Sequence, residues 1–181
     1  MDLSKKTPLQ KIGEDEQLLE KIMLVVPGFR GYKAKEQRRE ADKIVRDFLH
    51  SKLQEARNAL QDIYQVVAES KIPEALHPID RLTAIFDRVS EKVHHASYGY
   101  AGFFDATKID EDDLDRMISF DTQLVDGAKG LAQRVQVFKD EVQAGKFDNL
   151  DAFESELRKT VEGFETAFDQ RKDVIEGLEV G

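Results

Sequence analysis

The sequence predicts an all-α protein: an elongated antiparallel four-helix bundle of two long helical hairpins, with a short extra helix at the N-terminus. Apolar residues recur in steps of three and four along stretches with almost no proline or glycine, which is the spacing of amphipathic helices. The apolar stripes of successive stretches also match in antiparallel register about short turns. No segment shows the alternation typical of a strand. The whole chain, residues 1–181, is predicted to be a single domain.

The first hairpin is predicted over residues 36–98. No proline or glycine occurs from Glu36 to Ser70. The stripe of this first long helix is Ala41, Val45, Phe48, Leu53, Ala56, Leu60, Ile63 and Val67. The second helix is expected from about Pro78 to Tyr98, with the stripe Ile79, Leu82, Phe86, Val89, Val93 and Ala96. The numbers of facing residues add up to 145 or 146, which centres the turn near Pro73.

The second hairpin is predicted over residues 110–180. Asp110 is a good N-cap, acidic residues suit the first turns that follow it, and Gly145 is expected to end the helix. The apolar stripe is Leu114, Met117, Leu124, Ala128, Leu131, Val135, Phe138 and Val142. The last helix is expected to start near Asn149, with the stripe Leu150, Phe153, Leu157, Val161, Phe164, Phe168, Ile175 and Leu178. The numbers of facing residues add up to 292, which centres the turn on Lys146.

Asp121 and Arg171 interrupt these two stripes, and their numbers also add up to 292. The register therefore predicts a buried polar layer in which this acid faces this base. A buried ion pair adds little net stability but can fix register, because a slip leaves a charge unpaired. Two interpretations stay open: a structural pair, or a polar functional site inside the bundle.

Two further segments adjoin the hairpins. Residues 1–32 are predicted to hold the short helix, which uses Leu19, Ile22 and Met23 before Pro27, and then a basic and aromatic linker. Residues 99–109 are predicted to be an aromatic, glycine-containing loop. Continuing the register of the first hairpin brings the loop and the linker to the same end of the bundle.

An interaction surface is predicted at that end, where rings from both segments meet basic residues at the start of the first long helix. Its candidate residues are Phe29, Arg30, Tyr32, Arg38, Arg39, Tyr98, Tyr100, Phe103 and Phe104. Basic residues at a helix N-terminus oppose the helix dipole, so they are expected to serve another purpose, such as pairing with the acidic start of the third long helix or with an anionic partner. The rings are either a packing plug or the anchors of an interface.

Composition excludes several classes of protein. The chain has 181 residues, is 40% apolar and 35% charged, and has no cysteine, so disulfides and thiolate chemistry are excluded. A net charge of −9 argues against nucleic-acid binding, although residues 1–60 carry +3 and residues 61–181 carry −12. No secretory signal and no apolar run of membrane-spanning length is visible, which favours a cytoplasmic location.

Catalytic motifs are not found, and neither a cofactor nor a metal is expected. Carboxylate-x-x-His occurs twice, as Asp47 with His50 and as Glu91 with His94. In four-helix bundles this spacing can hold two metal ions when the side chains point inward. Here they fall beside or opposite the apolar stripes, which favours surface histidines.

The sequence thus favours a non-enzymatic, coiled-coil-like interaction or scaffold module that binds a protein partner or self-associates. One alternative is a peripheral protein that binds anionic membrane surfaces through residues 21–39, an apolar and then basic segment. A second alternative is a small-ligand-binding bundle or an enzyme that uses the bundle end.

Overall fold

The computed structural model describes residues 35–96 and 111–177, with side chains for 41–96 and 116–174. Of these residues, 92% are helical and none lies in a strand. They form α1 (Lys35–Glu69), α2 (Pro73–His95), α3 (Glu111–Gln143) and α4 (Leu150–Gly177). The predicted all-α bundle of two hairpins is confirmed, and α1 is about 50 Å long at 1.5 Å per residue. The predicted N-terminal helix and the 99–109 loop lie outside the described residues.

The turn between α1 and α2 is tight. The backbone N–H and the hydroxyl of Ser70 both donate to the carbonyl of Val66, at 3.0 and 2.8 Å. Lys71 then takes a left-handed conformation with φ of 58°, which helps to reverse the chain. Pro73 opens α2, because its fixed φ suits the first helical position, where a backbone N–H has no intrahelical partner.

The predicted limits of α2 need correction at both ends. The helix starts at Pro73 rather than near Pro78, which lies inside it, and it ends at His95 rather than Tyr98. An internal proline removes one helical hydrogen bond. Buried side chains on both sides of it, Ala75 and Ile79, hold this turn against the core. Tertiary packing therefore sets the start of α2 at Pro73, whereas proline chemistry alone predicted a start near Pro78.

The turn between α3 and α4 follows the predicted chemistry. Gly145 has φ of +76°, which glycine adopts without steric strain. Its N–H donates to the carbonyl of Val142 at 2.9 Å, and the N–H of Lys146 donates to the carbonyl of Glu141 at 3.0 Å. These two bonds form a Schellman motif, which satisfies carbonyls at the end of a helix. The turn is thus where the register of the hairpin placed it.

The two hairpins pack side by side in an order that the sequence did not predict. α1 contacts α2 and α3, and α4 contacts α3 and α2, so neighbours from different hairpins are α1 with α3 and α2 with α4. An ion pair joins Asp62 to Lys139, whereas Asp42, nearer the start of α1, shares Arg171 with Asp121. Later residues of α1 therefore lie beside later residues of α3. These two helices run parallel, while each hairpin is antiparallel within itself.

The core runs through the whole described bundle. Its fully buried large side chains come from both hairpins, and Phe86, Phe138, Leu49, Leu53, Leu60, Ile63, Ile79 and Leu82 are the largest apolar ones. Phe153 is half-buried and stacks on Phe138 with ring centroids 4.8 Å apart. In the described part of the chain, Tyr64 and Val137 are the exposed large apolar side chains. Each hairpin therefore buries its apolar face against the other.

Candidate functional site

The predicted interaction surface lies mostly beyond the described residues. Phe29, Arg30, Tyr32 and the ring-bearing positions 98–104 are outside them, and Arg38 and Arg39 are described only as backbone in the first turns of α1. Their role therefore stays a prediction. What the structure does describe is the end of the bundle to which these segments connect.

Four helix termini meet at this end: the starts of α1 and α3 and the ends of α2 and α4. The guanidinium Nη1 of Arg46 in α1 donates to the backbone carbonyl of His94 in the last turn of α2, at 3.2 Å. Arg171, near the end of α4, contacts Asp42 in α1 and Asp121 in α3. The chain therefore enters α1, leaves α2 and enters α3 at one end of the bundle, as the first hairpin's register predicts.

A buried ion network centred on Arg171 forms the predicted polar layer. Its Nε donates to Asp121 Oδ1 at 2.7 Å and its Nη2 to Asp121 Oδ2 at 3.1 Å. The side chains of Arg171 and Asp121 are both 0% exposed. The pairing is the one that the α3–α4 register predicts, and its two-pronged geometry is the strong form of an arginine–carboxylate contact.

The first hairpin supplies the rest of this network, which sequence reasoning missed. Arg171 Nη1 donates to Asp42 Oδ1 at 2.5 Å, and Arg46 Nε donates to Asp42 Oδ2 at 2.9 Å. Together with the bond from Arg46 to the His94 carbonyl, these contacts join all four helices. A sequence signal did exist: Asp42 and Arg46 are four positions apart, beside the apolar stripe residues Ala41 and Val45.

Both carboxylates of the network are held by arginine side chains. Each oxygen of Asp42 and Asp121 accepts a hydrogen bond from a guanidinium group. Among the described side chains, Asp42 and Asp121 are paired with Arg46 and Arg171, and such pairing is what buried charges require. This arrangement favours the structural interpretation of the layer, in which the ions fix how the helices meet.

The two carboxylate-x-x-His motifs lie together on the flank of the first hairpin. The rings of His50 and His94 have centroids 4.5 Å apart, and His94 lies 4.9 Å from His95. Asp47 and Glu91 are exposed. Among the described side chains, no group of three or more acidic and histidine residues could hold a metal ion. Sequence reasoning placed these histidines on the surface but missed their contact, although the hairpin register nearly aligns them.

A small polar cluster supports His50. Its Nδ1 lies 2.9 Å from the hydroxyl oxygen of Ser90 and 3.2 Å from the Ser90 carbonyl. Gln54 Nε2 donates to the same hydroxyl at 3.0 Å. Ser90 is 0% exposed, so these bonds satisfy a polar group that burial would otherwise leave without water. The cluster holds α1 to α2 beside the core.

A surface ion network joins α2 to α4. Arg88 forms a two-pronged contact with Glu165, and Lys92 reaches Glu165 at 3.1 Å and Asp169 at 2.6 Å. The hydrogen bond from Arg88 is the main reason that the pKa of Glu165 is lowered. Burial opposes the charge of Lys92, but its bonds to Asp169 and Glu165 outweigh burial and raise its pKa. These contacts fix the parallel register of α2 and α4.

A groove of about 330 Å³ lies between α3 and α4. Aromatic and aliphatic side chains line it, including Phe120, Leu124, Leu131 and Phe164. Gly127 and Gly163 widen it, and Gln123, Thr160 and Gln170 add neutral polar groups. Such apolar concave surfaces with a few polar groups are typical of binding sites. The periodic pattern of the sequence did not reveal this groove.

No family model, curated protein or solved structure matches this chain. In the helices that the structure describes, no stretch has both the length and the low charge that crossing a bilayer requires.

Proposed function

We propose that the protein is a non-enzymatic helical interaction or scaffold module, which associates with a protein partner or with a second copy of itself through one end of the bundle. The observation that carries this proposal is the Arg171 network, which joins all four helices near that end.

The network supports the proposal because of where it lies. Asp42 is the eighth residue of α1, and Asp121 is the eleventh residue of α3. The four helix termini beyond it are therefore held in one arrangement, and both aromatic segments connect to them. A binding surface benefits from such a rigid support, since ordering its backbone before binding lowers the entropy lost on association.

The same geometry weighs against a ligand site within the layer. The carboxylate oxygens of Asp42 and Asp121 already accept hydrogen bonds from arginine, so a polar ligand would have to displace charge-assisted bonds. The interaction surface is therefore assigned to the bundle end, with Phe29, Arg38, Tyr100 and Phe103 as its main candidate residues.

The proposal is tested on the full chain with three variants and one control. Arg38→Ala and Tyr100→Ala are expected to leave the melting temperature nearly unchanged while abolishing self-association in light scattering or partner capture in a pull-down. Phe103→Ala is expected to reduce stability and association together. Gln65→Ala, on the exposed face of α1 far from this end, is the matched control.

Two results would contradict the proposal. Full association by Arg38→Ala and Tyr100→Ala would show that the bundle end is not the interface. Flotation of the full chain with anionic but not neutral liposomes, lost in Arg38→Ala, would instead favour the membrane-surface alternative.

A further inference from the structure

His50 and His94 bring two imidazole rings from different helices together at the surface of the first hairpin. Their centroids are 4.5 Å apart, and the ring planes are tilted by 41°. His50 lies in α1 and is half-buried, whereas His94 lies in the last turn of α2 and is exposed. Histidine is the commonest metal ligand among the side chains. Two imidazoles this close at the edge of solvent are therefore a potential chelate.

The separation of the two rings matches that of two ligands on one ion. A transition-metal ion bound at about 2.0–2.1 Å to a ring nitrogen lies about 3.2 Å from the centre of that ring. Two rings at a right angle about the ion then have centroids about 4.5 Å apart, as His50 and His94 do. A tetrahedral angle, which zinc prefers, would place them about 5.2 Å apart. Right angles occur in the square-planar complexes of copper and nickel, so the pair fits these ions better.

Ser90 fixes the orientation of the His50 ring. Nδ1 of His50 lies 3.2 Å from the Ser90 carbonyl and 2.9 Å from the Ser90 hydroxyl oxygen, which also accepts a hydrogen bond from Gln54. The carbonyl can only accept, so Nδ1 bonds to it when Nδ1 carries the proton, and Nε2 then presents its lone pair to an ion. Metal-binding histidines usually donate their second ring N–H in this way, which orients the ring. His50 therefore has the outer hydrogen bond that such a ligand uses.

His94 has ring nitrogens available for the same ion. Within the described part of the chain, they make no hydrogen bond, although the backbone carbonyl of His94 accepts one from Arg46 at 3.2 Å. That bond holds the last turn of α2 against α1. His95 is engaged within α2, where its Nε2 lies 3.2 Å from Oε2 of Glu91. The chelate therefore consists of His50 and His94, with His95 outside it.

The charges around the pair also suit a cation. Asp47 and Glu91 are exposed, and each precedes one of the two histidines by three positions, which is about one helical turn. Of the nearby cations, Arg46 is paired with a carboxylate of the Arg171 network, and Lys92 is paired with two carboxylates of α4. Carboxylates within a turn of both ligands favour the approach of a positive ion.

We infer that His50 and His94 form a surface site for a divalent copper or nickel ion, with the two imidazoles as protein ligands and water completing the coordination. In a chain without cysteine, imidazole is a ligand that suits these ions well. A site with two protein ligands agrees with the finding that no group of three among the described side chains could hold a metal. The ion ties the last turn of α2 to α1. The site does not depend on the proposed interaction role.

Calorimetric titration of the untagged full chain with Ni²⁺ tests the site, since each of the chain's four histidines can be replaced in turn. The parent is expected to bind one Ni²⁺ per chain. His50→Gln and His94→Gln are each expected to weaken binding about tenfold or more, because each removes one ligand. His77→Gln is the matched control: this exposed histidine lies near the start of α2, at the other end of the hairpin, and its loss should leave the affinity unchanged.

Three results of the titration would overturn the inference. The first is that the parent shows no saturable binding of Ni²⁺ or Cu²⁺. The second is that His50→Gln or His94→Gln binds as tightly as the parent. The third is a loss in His95→Gln as large as that in His50→Gln, because His95 is placed outside the chelate. Circular dichroism of each variant checks that the bundle is folded.

Thermal unfolding gives a second readout. Because the two ligands lie on different helices, an ion that binds only the folded hairpin raises the melting temperature. Ni²⁺ is expected to raise it in the parent, whereas Mg²⁺, which prefers oxygen ligands, is expected to leave it unchanged. The rise should be lost in His50→Gln and kept in His77→Gln. No rise at saturating Ni²⁺, or an equal rise in His50→Gln, would exclude a site that bridges α1 and α2.

Discussion

Arg171 holds Asp121 through two hydrogen bonds, of 2.7 and 3.1 Å, across the α3–α4 hairpin, and neither side chain is exposed to solvent. The same guanidinium reaches Asp42 on the other hairpin. One side chain thus fixes the register within a hairpin and also the contact between the hairpins.

Removing this arginine should destabilise the protein strongly. Arg171→Leu removes the two hydrogen bonds that the buried carboxylate of Asp121 accepts from Arg171, which is expected to lower the free energy of unfolding by about 3–5 kcal/mol. Denaturant unfolding measures the loss. The double variant Arg171→Leu with Asp121→Leu should recover much of it, because Asp42 keeps Arg46 as its partner. A single variant within about 0.5 kcal/mol of the parent would show that the network is not buried in solution.

The glycines should respond in opposite directions. Gly130→Ala is expected to raise the free energy of unfolding by roughly 0.5–1 kcal/mol, because a Cβ there meets nothing within 4 Å and alanine favours the helix. Gly145→Ala is expected to lower it by about 1 kcal/mol or more, because φ of +76° strains any other residue. Unfolding curves of the two variants, recorded together, check the contrast. Equal shifts would contradict the turn geometry.

Truncating a core apolar residue should lower the free energy of unfolding far more than truncating an exposed one, and denaturant unfolding measures both. Phe86 is 0% exposed, so Phe86→Ala is expected to lower the free energy of unfolding by about 3–5 kcal/mol through lost burial and a cavity. Val137 is 47% exposed, and Val137→Ala should change it by less than about 0.5 kcal/mol. A large effect at Val137 would reveal that this position is covered in solution.

The α2–α4 ion network should make stability depend on pH through Glu165. Its pKa in the folded protein is lowered below the ordinary value of 4.5, mainly by the hydrogen bond from Arg88. The stabilisation is therefore complete above about 4.5 and is lost as the pH falls through the lowered pKa. Because the pKa of Lys92 is raised above 10.5, the basic side of the network stays charged throughout this range.

Glu165→Gln tests this linkage. The variant is expected to be less stable than the parent near neutral pH, with a difference that narrows in acid as Glu165 becomes protonated. Added salt should shrink the difference, since these groups are partly exposed and screened. A difference that is constant from neutral pH to strong acid would show that Glu165 does not carry the linkage.

Sequence periodicity was enough to locate the four long helices and the two hairpins, although the limits of α2 differ from the predicted ones. Stripes such as Leu60, Ile63 and Val67 show which helix face is apolar, and Gly145 marks a turn through backbone chemistry alone. Within a hairpin, a short turn forces antiparallel packing, so residue numbers fix the register. The pairing of Asp121 with Arg171 follows from that register alone.

Contacts between the hairpins depended on the tertiary structure. An apolar stripe does not specify which other stripe it meets, and the 15 residues from Ala96 to Asp110 do not fix the lateral order as a tight turn does. The parallel neighbours α1 with α3 and α2 with α4 therefore could not be predicted. Asp42 lies beside the apolar stripe in the sequence, but its partner Arg171 is 129 positions away, so the pattern could not identify that pair. The groove at Gly163 was missed for a related reason. Its shape depends on how α3 and α4 pack against each other, whereas the periodic pattern indicates only which face of each helix is apolar.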